Sequence, residues 1–237
     1  MPTREIKALA FDVFGTVVDW RSGIIGACRA LCAGKRIERD CAAFADAWRG
    51  LYQPSMSAVR DGSRPFVKLD RLHRESLDQL LGDFAIAGLS ETEIDHLNRA
   101  WHRLGPWPDS VAGLTRLRRR YVLATLSNGN VALIVNMAKR AGLPWDAVLG
   151  AEVARHYKPL PEVYLGAVDM LGIEAHECLM VAAHSGDLVA ASACGLRTAF
   201  IARPGEYGPD QTTDLEAEHN YDLIADDLLD LARQLGC

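Results

Sequence analysis

An apolar run at residues 6–11, interrupted only by Lys7, stops at Asp12 and is followed by Val13, Phe14, Gly15 and Thr16. A run with no polar alternation fits a strand buried on both faces, as in a parallel sheet covered by helices. In open α/β sheets ligands sit beyond the carboxyl ends of the strands, so the same feature places a carboxylate where chemistry takes place. Four more apolar runs, at 121–126, 147–153, 178–183 and 198–201, read as strands. From residue 110 they alternate with helical patterns at 111–120, 131–141, 161–171 and 187–194. Strand–helix alternation argues an α/β fold with a Rossmann-like parallel sheet core.

The stretch 19–102 breaks this alternation. It carries helical patterns at 23–31, 41–59, 66–81 and 91–104 and no good strand signal. A block of that size is too long for a loop. It predicts an inserted helical cap subdomain at 19–102, with the core formed by 1–18 and 103–237. Pro106, Trp107 and Pro108 mark the return to the sheet. The tail from Asp214 reads as a short strand-like piece and a closing helix without functional signal.

Composition narrows the function classes. Across 237 residues the net charge is −5, so no basic field favours nucleic acid or an anionic membrane. No leader-like apolar segment opens the chain and no later run reaches bilayer length. The six cysteines, at 28, 32, 41, 178, 194 and 237, form no CxxC pair and no zinc spacing. They read as free, buried, small hydrophobes in a reduced cytoplasmic protein.

Three further strand ends carry polar groups. Ser127-Asn128-Gly129 follows the second run, Lys158-Pro159 comes after the third, and His184-Ser185-Gly186-Asp187 follows the fourth. Turn chemistry explains a single such end and not four.

With those residues in hand, the chain resembles the haloacid dehalogenase superfamily and, within it, the (S)-2-haloacid dehalogenases of the inverting type. The resemblance rests on Asp12-x-x-Gly15-Thr16, Ser127-Asn128, Lys158-Pro159 with Tyr164 six residues after the lysine, and the closing Asp187. Phosphate-transferring members carry a second Asp where this chain has Phe14, and Trp48-Arg49 in the helical block points the same way. The swap has a physical sense. Residues two apart on a strand face the same side, so position 14 looks into the site beside Asp12. An alkoxide leaving group needs a proton from an acid there; a halide does not.

The resemblance implies hydrolysis of short 2-haloalkanoic acids to 2-hydroxy acids through an ester on Asp12. In that reading Lys158 keeps Asp12 ionised, and Thr16 belongs to the same intact set. Arg49 receives the halide, because guanidinium stays charged in dry surroundings. Ser127 and Asn128, with backbone N–H groups of the Asp12 loop (Val13, Phe14), hold the substrate carboxylate, and Tyr164 lies beside them. Asp187 positions or deprotonates water, and His184 is either that base's partner or a satisfied loop histidine. Well-known relatives have Ser-Ser-Asn where this chain has Ala182-Ala183-His184, so the water-activating step is the divergent part. Too few acids remain for Mg²⁺, so no metal or cofactor is expected. The expected partners are a small anionic haloacid and, by family, a second copy in a homodimer. The alternatives are a phosphatase or phosphonatase-like hydrolase, or an idle binding protein on the same fold.

Overall fold

The structure, a computed structural model, describes residues 6–237. Residues 1–5, most of the segment read above for a leader, lie outside the described residues. The element order is β1 (Ala8–Phe11), β2 (Val18–Asp19), α1 (Trp20–Lys35), α2 (Cys41–Gly50), α3 (Tyr52–Arg60), α4 (Leu69–Asp83) and α5 (Glu91–Asn98). A 3₁₀ segment, Arg99–Arg103, leads to β3 (Gly105–Pro106), α6 (Ser110–Leu117), β4 (Val122–Ser127), α7 (Val131–Ala141) and β5 (Ala147–Gly150). The chain closes with α8 (Ala151–Ala154), α9 (Pro161–Leu171), a 3₁₀ turn at Ala175–Glu177, β6 (Cys178–Ala182), α10 (Ser185–Ala193), β7 (Arg197–Ile201), β8 (Leu223–Ala225) and α11 (Leu228–Gln234).

Six strands form one sheet in the order β5-β4-β1-β6-β7-β8, and every pairing is parallel. β1 lies at the centre, with Phe11 level with Thr125 of β4 and Val181 of β6. That register brings the ends of β1, β4 and β6 to one rim. Alternate residues face opposite sides, as the period of two requires. Leu9, Phe11, Leu123, Leu179 and Val181 join one apolar cluster, and Ala10, Leu126, Met180 and Ala182 join the other. The first cluster runs on into Ile24, Phe44, Trp48 and Met56 of the helical segment. Sheet and insert therefore share one core.

The small ribbon of β2 against β3 ties the start of the helical segment to its end. Asp19 caps α1 through Ser22 N, Asp40 caps α2 through Ala42 and Ala43 N, and Ser90 with Glu93 forms a capping box on α5.

Two expected elements differ. The helix expected at 41–59 is two helices, broken at Leu51. The break puts Pro54 in the first turn of α3, where no intrahelical N–H is missed. The strand expected at 147–153 ends at Gly150, and Ala151–Ala154 turns helical. Gly150 has φ +132°, and a Cβ there would stand 2.0 Å from Ser127 O. Only glycine allows β5 to end that close to β4.

The cysteine expectation also changes. Cys28 of α1 and Cys41 of α2 are joined as a disulfide, with Cα atoms 5.6 Å apart, while Cys32, Cys178, Cys194 and Cys237 are free. Among the described residues no helix is long and apolar enough to cross a membrane.

Candidate active site

Asp12 emerges from β1 onto the rim, 7% exposed, with its backbone N donating to Val181 O. Its Oδ2 accepts from Thr16 Oγ1 at 2.8 Å, and its Oδ1 accepts from Lys158 Nζ at 2.9 Å. His184 Nδ1 stands 3.3 Å from Oδ2. Burial alone pushes this carboxyl up, but the charge on Lys158 and the contact with His184 outweigh it and hold Asp12 far below the usual carboxylate range. The group is a fixed, buried anion with its counter-charges in place.

Lys158 arrives from the loop between α8 and α9. Its backbone N donates to Asn128 Oδ1 at 2.9 Å, so the β4 and β5 loops are locked together beneath the site. Burial disfavours the ammonium, yet Asp12 and Asp187 together raise its pKa above the ordinary value. Its Nζ also bonds Asp187 Oδ2, while Asp187 Oδ1 accepts from Tyr164 OH at 2.6 Å. Burial, with the charge of Asp12, pushes Asp187 above the ordinary range despite Lys158. Both oxygens of Asp187 are thus engaged in holding Lys158 and Tyr164.

His184 begins α10 and is the junction of two anions. Its Nε2 lies 3.0 Å from both carboxylate oxygens of Glu206. Burial works against the imidazolium, but Glu206 and Asp12 raise its pKa well above the ordinary 6.5. Glu206 is 1% exposed and also accepts from Trp20 Nε1 at 2.9 Å. Its approach explains the glycine of the Asp12 loop. Gly15 has φ +86°, and a Cβ there would meet Glu206 Oε1 at 2.0 Å. Two residues of spacing, Asp12 and Gly15, thereby serve one site. Arg203 fixes the loop that carries Glu206: Nη1 and Nη2 grip both oxygens of buried Asp109, and Nε donates to Thr16 O.

The helical segment supplies the opposite wall. Arg49 of α2 points its guanidinium over the rings of Tyr52, 4.4 Å from the centroid, and Trp20, 5.3 Å away. Its Nη2 is 4.0 Å from Glu206, and its Nη1 is buried with no hydrogen-bond partner among the described residues. Burial disfavours the charge, but Tyr207, Tyr52 and Glu206 hold the guanidinium firmly cationic. Phe14 is 2% exposed and meets Tyr52 and Trp101 edge-on, at 6.3 and 5.7 Å between centroids. Tyr52 thus lies between Phe14 and the Arg49 guanidinium.

A cavity of about 370 Å³ lies between the two walls. Asp12, Phe14, Arg49, Asn128, Lys158, Tyr164, His184 and Asp187, all expected from sequence, line it. Thr16 is fully buried behind Asp12 and braces it, with Ala183 N donating to its Oγ1. Val13 and Ser127 also fall outside the lining. The Val13 side chain is wholly buried in the apolar core, while the role expected of this residue was its backbone N–H. Ser127 is fully buried and its Oγ accepts from Gly129 N, shaping the turn that presents Asn128. Trp48 stays in the core with its Nε1 on His73 O.

Sequence reading missed Glu206, Tyr52, Gln53, Tyr207 and Asp214, all of which touch this site. Asp214, read as part of an uninformative tail, lines the cavity and caps α10 by accepting from Ser185 N at 2.7 Å. The missed signal for Glu206 was the strand-end rule itself: Arg203-Pro204-Gly205-Glu206 follows β7.

The donors do not suit Mg²⁺. Lys158 Nζ stands between Asp12 and Asp187, where a cation bridging them would lie. Among the described residues the one cluster of three or more candidate ligands is cysteine, away from this cleft.

A parallel α/β core presenting a buried, ionised carboxylate under a helical wall is the architecture of a class of α/β hydrolases. The family model for haloacid dehalogenase-like hydrolases matches residues 6–195, and the chain belongs to that family. Among solved structures it is similar to the L-2-haloacid dehalogenase PA0810, at 52% identity and TM-score 0.94, covering 98% of this chain and 99% of that one. A defluorinating L-2-haloacid dehalogenase, Rha0230, is 50% identical with TM-score 0.96, over 98% and 96% of the two chains. The (S)-2-haloacid dehalogenase 4A of Burkholderia cepacia is 28% identical over 204 residues, 85% of each chain.

Proposed function

We propose that this protein hydrolyses short (S)-2-haloalkanoic acids to 2-hydroxy acids of inverted configuration through an ester on Asp12. The observation that carries the reading is the pairing of two groups across one cavity. Asp12 is held ionised by Lys158, and the Arg49 guanidinium lines the same space, with Phe14 where an acid would serve an alkoxide. The helical segment 19–102 acts as a cap on the core formed by 1–18 and 103–237.

In the first step Asp12 attacks the halogen-bearing carbon and the carbon–halogen bond breaks, with the electron pair leaving on the halide. Arg49 binds that anion between Tyr52 and Trp20. Asn128 and the adjoining loop backbone hold the substrate carboxylate. In the second step water attacks the Asp12 carbonyl carbon and gives up a proton, and Lys158 and Thr16 stabilise the oxyanion that forms there. Its collapse breaks the ester C–O bond, the alkoxide takes up a proton and leaves as the 2-hydroxy acid, and Asp12 returns as a carboxylate.

Esterification also changes His184. It removes the negative charge of Asp12, one of the two anions that hold His184 protonated. The imidazole pKa then falls, its Nδ1 proton goes to solvent, and Nε2–H stays on Glu206. His184 becomes a base only when there is an ester to hydrolyse. We assign water activation to His184 with Glu206, and the positioning of Lys158 to Asp187 and Tyr164.

The test is halide release from chloro- and fluoroacetate and from each enantiomer of 2-chloropropionate. Turnover of the (S) enantiomer with (R)-lactate as product supports the reading. Absence of halide from every haloacid, with turnover of a phosphate ester instead, would overturn it.

A further inference from the structure

Three cysteines meet in the helical segment, away from the catalytic cavity. Cys28 and Cys32 are one turn apart on the same face of α1, and Cys41 is the first residue of α2, packed against that face. Their sulfurs all lie within 4.8 Å of one another, with Cys28 and Cys32 Sγ 4.0 Å apart. The three are 1%, 5% and 5% exposed. The Cys28–Cys41 disulfide accounts for two of them. It does not account for a third thiol beside that bond.

The donor set is purely sulfur, which selects a soft, thiophilic ion. It offers three ligands, and no His, Asp or Glu joins the group, so a closed tetrahedral zinc site is incomplete. The surroundings are apolar, with Ile24, Phe44 and Ala45 in the same core. Among the described residues no Lys or Arg contacts the three sulfurs, so an adduct with net charge would be costly to bury. Three thiolates neutralise a trivalent centre completely.

We propose that, once the Cys28–Cys41 bond is reduced, Cys28, Cys32 and Cys41 form a three-sulfur site for a trivalent thiophilic centre of the class of arsenite. Reduction takes two electrons and two protons from a dithiol, which becomes a disulfide. Binding then involves no electron transfer. Three As–O bonds of As(OH)₃ break and three As–S bonds form, and the three thiol protons leave with the hydroxides as water. Oxidation removes two of the three ligands, so the disulfide and the bound centre exclude each other.

The full chain is prepared oxidised, and separately reduced and freed of reductant, and each is titrated with sodium arsenite by calorimetry and native mass spectrometry. The reduced protein takes up one arsenic per chain with a mass gain of arsenic less three hydrogens, and the oxidised protein does not. Cys32→Ser and Cys32→Ala leave the disulfide pair intact but weaken uptake by at least about tenfold, since the third tethered ligand is lost. Cys194→Ser binds as the parent does. Haloacid turnover and melting of the Cys32 variants verify that they fold, and Cys32→Ala avoids a buried hydroxyl if the serine variant does not. Equal uptake by oxidised and reduced protein, no uptake by reduced protein, or unchanged affinity in a folded Cys32 variant would each overturn the site.

Discussion

Replacing Glu206 by Gln removes one negative charge while keeping the size of the side chain and an acceptor for Trp20 Nε1. The carboxylate now stands 3.0 Å from His184 Nε2 in a site where Glu206 is 1% exposed. Two unit charges about 4 Å apart at an effective dielectric near 20 interact by about 4 kcal/mol. Losing the Glu206 charge removes an influence that raises the His184 pKa, so that pKa should fall in the variant. Attack by Asp12 needs no base, so halide should still appear in a burst of up to one equivalent. Ester hydrolysis should slow by about 10²- to 10⁴-fold, the range for losing a base or the group that orients it. Rapid-quench halide assay, intact mass of the trapped ester and NMR titration of His184 read the three effects. A parental steady-state rate, or a variant that loses the halide burst, would refute the division of labour between Asp12 and the His184–Glu206 pair.

Arg49→Ala should lose at least about 10²-fold in turnover, because it removes the cation facing the departing halide; Arg49→Lys should recover only part, lacking the planar fork. Near-parental halide release from Arg49→Ala would exclude the arginine. His73 is buried against Trp101 with neither ring nitrogen bonded, and burial brings its pKa down to about 3. A depressed folded pKa means stability present above the unfolded value of 6.5 and lost as pH falls toward 3, by about 1.4 kcal/mol per pH unit at most. His73→Phe should flatten that acid loss in urea titrations between pH 6.5 and 4, and an unchanged slope would contradict the assignment. Chelators should leave haloacid turnover intact, since Lys158 stands where a cation would bridge Asp12 and Asp187; strict loss with recovery on adding Mg²⁺ would count against it.

The sheet was legible because buried parallel strands advertise themselves as nearly continuous apolar runs, and because polar residues follow the runs at 6–11, 121–126 and 178–183 and register brings them to one rim. Asp12, Asn128 and Asp187 follow from that rule, whereas Lys158 stands beyond the short helix α8. Glu206 obeys the same rule after β7, but Pro204 and Gly205 disguise its loop as turn chemistry. Tyr52 and Gln53 were invisible because the break at Leu51 that rotates them toward the cavity lies inside one continuous helical periodicity. The disulfide escaped because it joins residues 13 apart that come together only when α1 and α2 pack, outside any local spacing rule. Val13 and Ser127 enter through the resemblance, Val13 by its backbone N–H; the structure puts the Val13 side chain in the core and engages Ser127 Oγ with Gly129 N, neither of which local sequence signals.

Covalent catalysis by Asp12 is the central claim, and oxygen labelling tests it most directly. A single turnover of (S)-2-chloropropionate with enzyme in excess in ¹⁸O-water, followed by mass analysis of product and of the peptide bearing Asp12, separates the two routes. Unlabelled lactate with ¹⁸O in the Asp12 carboxylate is the predicted result. Label in the lactate and none in Asp12 would mean that water attacks the substrate carbon directly, and would contradict it.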